Sequence, residues 1–192
     1  MAQASSHDPW VRVRTLHDFP ADEVISALQK EIRRGNTENA ALLAYEMYVT
    51  SAELENFLWK RLLVISVEDI GFGDPQAPVL VHNLYQMHLI YHRDEGDRLL
   101  FVIQAVRFLC ACQKDRSTDE MINWLKHEMT QGELRPRIPD YAIDMHTARG
   151  KSMGRGPRHF WEEGARLNPE LPTRDRTYRA RMMKILDTLD PA

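Results

Sequence analysis

The chain has 192 residues, of which 43% are hydrophobic and 28% charged. That balance fits an ordinary globular protein with enough apolar residue to build a core without disulfides. A net charge of -3 excludes a globally basic nucleic-acid coat. Cys110 and Cys112 sit two apart in an apolar run, cannot staple a long loop, and read as reduced thiols suited to a cytoplasmic protein. The N-terminal stretch MAQASSHDPWVRVR has no apolar h-region, and Arg, Lys or His breaks every apolar stretch well short of a bilayer span. Neither secretion nor membrane insertion is expected.

Charge and composition change along the chain. Residues 1–134 hold 13 Lys and Arg against 20 Asp and Glu, net -7, whereas residues 135–192 hold 12 against 8, net +4. Gly and Pro become frequent from Gly132 onward. The organisation expected is an N-terminal extension over 1–17, an acidic helical body over 18–134, and a basic, less regular C-terminal segment over 135–192 packed on the body.

The body reads as helices in antiparallel pairs with short loops. After Pro20, Val24, Ile25, Leu28 and Ile32 recur at helical spacing, and Gly35-Asn36 ends the run. Thr37 is placed to cap a second helix with Leu42, Tyr45 and Val49 on its inner face. Ser51 is placed to cap a third, striped by Leu54, Phe57, Leu58, Leu62 and Ile65 and closed by Gly71. Asp74-Pro75 predicts a capped start with proline in the first turn, for a helix carrying Val79, Leu80, Leu84 and Met87 toward Tyr91. Asp97 opens the next, so apolar from Leu100 through Ile103, Val106, Phe108 and Leu109 that it should be central. Ser117 with Glu120 has the spacing of a capping box before Ile122, Leu125 and Met129. No segment shows sustained period-2 alternation. In the tail, short helices are expected at Tyr141 to His146 and after Pro157, through Phe160, Trp161, Ala165 and Leu167. An amphipathic helix from about Asp175 carries Tyr178, Met182, Ile185, Leu186 and Leu189.

The chemistry-bearing patterns are sparse. Arg149-Gly150-Lys151-Ser152 lacks the upstream glycine of a phosphate-binding P-loop, because Met145 stands there, and no buried strand precedes it. A glycine-containing turn is the simpler reading. His146, Arg149, Lys151, Arg155, Arg158 and His159 form a cationic run among flexible glycines, next to the aromatic Phe160 and Trp161. Such a run suits phosphates of nucleic acid or of a nucleotide; the competing reading pairs these side chains with the acidic body, at carboxylates such as Glu68 and Asp69. His88 and His92 share a helix face at i, i+4, but no third ligand accompanies them, so surface or capping histidines are expected and no metal. Cys110-x-Cys112 is not a redox CxxC, and no nucleophile elbow occurs. No catalytic set and no cofactor are expected.

The most informative stretch is Ser66-Val-Glu-Asp-Ile-Gly-Phe-Gly-Asp-Pro75. By residue type it is a helix end, a glycine turn and a helix start, with Glu68 and Asp69 as an acidic edge able to meet a partner's basic groups. It resembles the S-E-D-I/V-G-x-A-D-P-x-A signature of the C-terminal oligomerisation region of MgsA/RarA-type AAA+ ATPases (replication-associated recombination protein A). Glu68, Asp69, Gly71, Asp74 and Pro75 carry that resemblance. Asp22 to Lys30 is similar to the family's D-x-I-S-A-L/F-x-K-S helix, Asn39 to Met47 to its D-A-A-L-Y-W-L-A-R-M helix, and Phe101 to Lys114 with Ser117 to its A-x-x-Y-L-A-x-A-P-K-S-N segment. Four blocks match in order across residues 19–130. Gln113 departs near the expected proline, Asp115-Arg116 is extra, and beyond 135 only loose echoes remain, at Ile138-Pro-Asp-Tyr and Gly150 to Gly156.

The resemblance implies an all-α antiparallel bundle like the post-AAA+ oligomerisation domain of clamp loaders, assembled as a homo-tetramer. It also implies action on DNA in replication and recombination. The Walker motifs and arginine finger are not in this sequence, which leaves a scaffold, a domain that acts with a separate AAA+ ATPase as partner, or an evolutionary remnant put to a new use. A non-enzymatic oligomerising module without intrinsic ATPase activity follows. The alternative is an enzyme or an anion- or nucleotide-binding protein using the His146–His159 segment, and a purely structural interaction protein is a third reading.

Overall fold

The computed structural model describes residues 9–132 and 134–189. Residues 1–8 of the expected N-terminal extension, Glu133, and residues 190–192 lie outside the described residues. Every regular element among the described residues is helical. The chain divides into two compact units, Met1–Gln131 and Gly132–Ala192.

The first unit holds α1 (Ala21–Arg34), α2 (Thr37–Thr50), α3 (Ala52–Ile65), α4 (Ala77–His88), α5 (Arg98–Ala111) and α6 (Ser117–Gln131). In α1 the stripe read from spacing is the buried one: Val24, Leu28 and Ile32 face the core. Gly35 ends the helix at φ 75°, and its N–H and that of Asn36 close on the carbonyls of Ile32 and Glu31. That left-handed cap is a conformation glycine adopts without a Cβ penalty. Ser51 caps α3 as expected, its Oγ accepting from the Leu54 N–H at 3.1 Å, and Leu54, Leu58, Leu62 and Ile65 are buried. Helix α5 packs against α1, α2, α3 and α4, with Val102, Ala105, Val106, Leu109 and Cys110 buried; it is the central helix.

Several expected details change. In α2 the buried face is Ala40, Ala44, Met47 and Tyr48, while Leu42 and Tyr45 face outward. Small residues let α1 and α5 approach α2 closely, which leaves the larger side chains on the outer face. Thr37 is inside the helix rather than its cap, with Asn36 preceding it. Helix α4 begins at Ala77, not at Pro75: the Asp74 carboxylate accepts from the Gln76 N–H at 3.0 Å and closes a turn before the helix. Its core face is Ala77, Val81 and His88, with Val79 and Met87 exposed. Ser117 forms no capping box, because the cap is the Asp115 carboxylate, accepting from the Ser117 N–H at 2.8 Å. None of the residues of α6 is buried.

Residues 9–17 are tied to the body. The Trp10 ring lies 5.1 Å from that of Phe57, and the His17 N–H donates to Glu46 at 2.9 Å. Inside the core, Trp59 packs against His88 and Tyr85 at 4.9 and 5.4 Å. Glu55 is buried beside them and meets Nε2 of His88 at 2.8 Å, Nε of Arg98 at 2.7 Å and Nε of Arg93 at 2.8 Å. Burial alone would raise this carboxyl; the three hydrogen bonds outweigh it and hold it at about 2. The Tyr48 hydroxyl donates to the Arg93 carbonyl at 3.1 Å, and Arg98 donates to the His88 carbonyl at 3.1 Å. The α4–α5 connection is thereby held to α2 and α3. His88 is a core residue bonded to Glu55 and His92 is exposed, so the surface or capping role expected for His88 is corrected.

The second unit is small. Its helices are α7 (Ala148–Ser152), α8 (Pro157–His159), continued by a π turn over Phe160–Gly164, and α9 (Thr177–Leu189). The helix expected from Tyr141 is a single 3-10 turn, Asp140–Ala142, and the one after Pro157 stops at Gly164. The Asp175 carboxylate caps α9 through the Thr177 N–H at 2.8 Å.

Candidate functional site

The signature stretch is a junction. Helix α3 runs into a π turn, Ser66–Ile70, and then a 3-10 turn, Gly71–Gly73. Asp69 is fully buried. Its carboxylate accepts from Arg33, from Nη1 of Arg116 at 2.6 Å and from Nε2 of Gln29 at 2.9 Å. Burial works to raise the Asp69 carboxyl, and the hydrogen bonds from Arg33, Gln29 and Arg116 together overcome it, so it stays below the usual carboxylate range. Glu68 shares the same donors: Gln29 at 2.8 Å, Arg116 at 3.3 Å and Arg33 at 3.4 Å. Main chain adds to this, with the Asp115 N–H donating to the Asp69 carbonyl at 3.0 Å.

The two glycines follow from this packing. A Cβ on Gly71, which sits at φ 50°, would stand 2.5 Å from the Asp115 carbonyl oxygen, and one on Gly73 would stand 2.4 Å from that of Gln113. Both distances are steric overlaps, so the turn closes against the α5–α6 connection only with glycine at 71 and 73. Asp74 and Pro75 build the turn that leads into α4. Asp69 is therefore turned inward and joins α1, α3 and the start of α6.

In the second unit, most of the cationic run meets carboxylates nearby. Arg155 donates to both oxygens of Asp140 at 2.8 and 2.7 Å and to the Ile143 carbonyl at 2.7 Å. Arg158 pairs with Asp187 at 3.0 Å and Glu162 at 3.3 Å. Nδ1 of His146 lies 3.2 Å from the Asp144 carboxylate, which the His146 N–H and ring hold below its usual range. The His146 ring also lies edge-on to Phe160 at 5.0 Å, and Phe160 meets Trp161 at 5.4 Å. Phe160, Trp161 and His159 are half-buried. Arg149 and Lys151 differ: both are exposed, and neither makes an ion pair among the described residues.

The 149–152 segment is the short helix α7. The Gly150 N–H donates to Thr147 Oγ1 at 2.9 Å and the Lys151 N–H to the Thr147 carbonyl at 3.0 Å. The donors a P-loop would aim at phosphates are spent on Thr147. Gly150 is needed for a different reason, since a Cβ there would stand 1.8 Å from the Asp144 carbonyl oxygen.

The sequence pattern described as MgsA AAA+ ATPase C terminal matches residues 35–166. This chain belongs to the MgsA AAA+ ATPase C-terminal family. Curated relatives of the family carry the name replication-associated recombination protein A. The Bacillus subtilis (strain 168) protein is 32% identical over 149 residues, 73% of this chain and 33% of that protein. The Haemophilus influenzae protein is 28% identical over 124 residues, 65% and 26%. The Escherichia coli K12 protein is 28% identical over 142 residues, 71% and 30%. The chain thus spans about a third or less of the length of these relatives. The MgsA C-terminal match contains the signature turn with Asp69, helices α5 and α6, and the cationic run from His146 to His159.

Sequence reasoning does not single out Gln29, Arg33, Arg61 and Arg116, which surround Glu68 and Asp69. Gln29 and Arg33 stand at i, i+4 on α1, a spacing that puts two polar side chains on one face. It also passes over Glu55, which shares a helical stripe with Leu58 and Leu62. A carboxylate in such a stripe requires a buried partner.

Proposed function

We propose that this chain is a non-enzymatic, self-associating module of replication and recombination maintenance, assembling as a tetramer and contacting nucleic-acid phosphates through its C-terminal unit. The observation that carries this reading is the match to the MgsA C-terminal pattern across residues 35–166. The relatives devote only about a third of their length to the matched region, which supports an AAA+ ATPase module as the functional partner. Self-association is further supported by the outer surface of the first unit, where Met121, Ile122, Trp124 and Met129 of α6 remain exposed. Large exposed apolar patches mark interaction sites more often than free surface.

The nucleic-acid contact rests on charge left over after internal pairing. Among the described residues, Arg149 and Lys151 are exposed without an ion pair, as are Arg135, Arg137, Arg181 and Lys184. Exposed Arg and Lys side chains bind phosphates, and phosphate contacts carry no sequence information. Arg155, Arg158 and His146 act instead as supports within their unit. The test is fluorescence anisotropy with labelled single- and double-stranded DNA across a salt series. Weak, sequence-independent, salt-sensitive binding that weakens and becomes less salt-dependent in an Arg149→Ala/Lys151→Ala double variant supports the reading. No binding at low salt overturns it. The anion- or nucleotide-binding enzyme reading is disfavoured by the spent N–H groups of α7.

A further inference from the structure

Trp10, in ring contact with Phe57 at 5.1 Å, lines a pocket of about 290 Å³ between α1 and α3. Asp22, Ser26 and Gln29 form its α1 wall at helical spacing. Phe57 and Arg61, one turn apart, form its α3 wall. Arg61 donates to Gln29 Oε1. The Ala21 N–H donates to the Val13 carbonyl at 3.0 Å and ties the Trp10 segment to the start of α1. Asp22 therefore stands at the aromatic end of the pocket, and Arg61 with Gln29 at the other, about 10 Å further along α1.

The two ends carry opposite charge. Asp22 is half-buried, and its carboxylate makes no hydrogen bond or ion pair among the described residues. A bound cation relieves a carboxylate withdrawn from water in this way, and the faces of Trp10 and Phe57 attract a cation as well. At the other end Arg33, Arg61 and Arg116 are matched by Glu68, Asp69 and Asp119. Lys30 adds one more positive charge: it donates to the pocket-lining Ser26 and makes no ion pair among the described residues. Of the Arg61 donors, Nη2 is engaged, on Gln29 and at 3.9 Å from Glu68, and a guanidinium has further N–H groups to offer an acceptor. This end suits an anion.

We propose that this pocket binds a lysine or arginine whose own α-carboxylate is free, with the side-chain cation at Asp22 against the aromatic rings and the carboxylate at Arg61 and Lys30. The free amino acid and the C-terminal residue of a basic peptide present the same chemistry. Complementarity is needed at both ends: an uncharged apolar ligand leaves Asp22 unpartnered, and a ligand without a carboxylate leaves the positive end unmatched. The site uses only residues of the first unit and does not depend on the phosphate contacts proposed for the second.

Isothermal titration calorimetry of the full chain tests it with lysine, arginine and a glycyl-glycyl-lysine tripeptide, against norleucine, which lacks the cation, and argininamide, which lacks the carboxylate. The basic ligands should bind, and the two controls should bind at least about threefold more weakly. Asp22→Asn should weaken binding by at least about threefold. Trp10→Leu, which removes the ring and keeps an apolar side chain, should weaken it as well. Glu23→Gln, on the same turn of α1, should leave it unchanged, and thermal melts check that each variant is folded. Binding of the tripeptide alone assigns the ligand to a chain end, and binding of the free amino acids alone assigns it to a small molecule. No heat from any basic ligand at millimolar concentration, argininamide binding as tightly as arginine, or affinity unchanged in folded Asp22→Asn and Trp10→Leu overturns the site.

Discussion

Glu55 makes the strongest residue-scale case. Its carboxylate is buried with His88, Arg98 and Arg93 around it, and removing one member of such a set strands the others without a counter-charge. Glu55→Gln is expected to cost about 3 kcal/mol of unfolding free energy, measured by urea denaturation at neutral pH. The pH dependence has a definite sign. The folded carboxyl lies at about 2, below its ordinary 4.5, so its stabilisation is complete above pH 4.5 and is lost as pH falls through about 2. A displacement of that size corresponds to about 3 kcal/mol. The wild-type stability curve should therefore drop between pH 4.5 and 2 more steeply than the Glu55→Gln curve; parallel curves would refute the coupling. Gly73→Ala provides a second test. The added methyl overlaps the Gln113 carbonyl, and a loss of about 2 kcal/mol or more is expected by the same titration, since the obstacle is main chain rather than a flexible side chain.

At the scale of elements, α1 and α3 are legible in the sequence because their buried positions are large aliphatics at helical spacing. Helix α2 is not, because hydrophobicity points to Leu42 and Tyr45 while the packing needs a small-residue face at Ala40 and Ala44. Two substitutions separate the faces. Ala44→Leu should overpack the contact with α1 and α5 and cost about 1–3 kcal/mol, whereas Leu42→Ala, at a position 62% exposed, should change stability by about 0.5 kcal/mol or less. Thermal denaturation of the two variants reads the difference. The start of α4 is misleading in sequence because Asp74-Pro75 has the chemistry of a helix cap and spends it on the turn before. Of the candidate site, the glycines and the turn are visible in the signature, but the inward direction of Asp69 is not. Its partners Arg33, Gln29 and Arg116 lie 36, 40 and 47 residues away, beyond any local pattern. The same applies to the tail, where Arg158 finds Asp187 at a separation of 29.

At the scale of the whole molecule, the acidic body and the basic C-terminal unit divide the proposed tasks, self-association by the first and phosphate binding by the second. If Arg149 and Lys151 touch phosphates, removing both should lower the log–log salt slope for single-stranded DNA by about 0.7 for each phosphate no longer neutralised. Arg155→Ala, which breaks the pairing with Asp140, should instead lower the thermal stability of the second unit. An Arg155→Ala variant with unchanged stability and weakened DNA binding would reverse these assignments. Among the described residues no helix is long and apolar enough to cross a membrane. Light scattering of the wild-type chain at micromolar concentration tests self-association most directly. The expected result is a mass rising with concentration toward four times the 22.4 kDa of one chain; a mass fixed at a single chain throughout would contradict it.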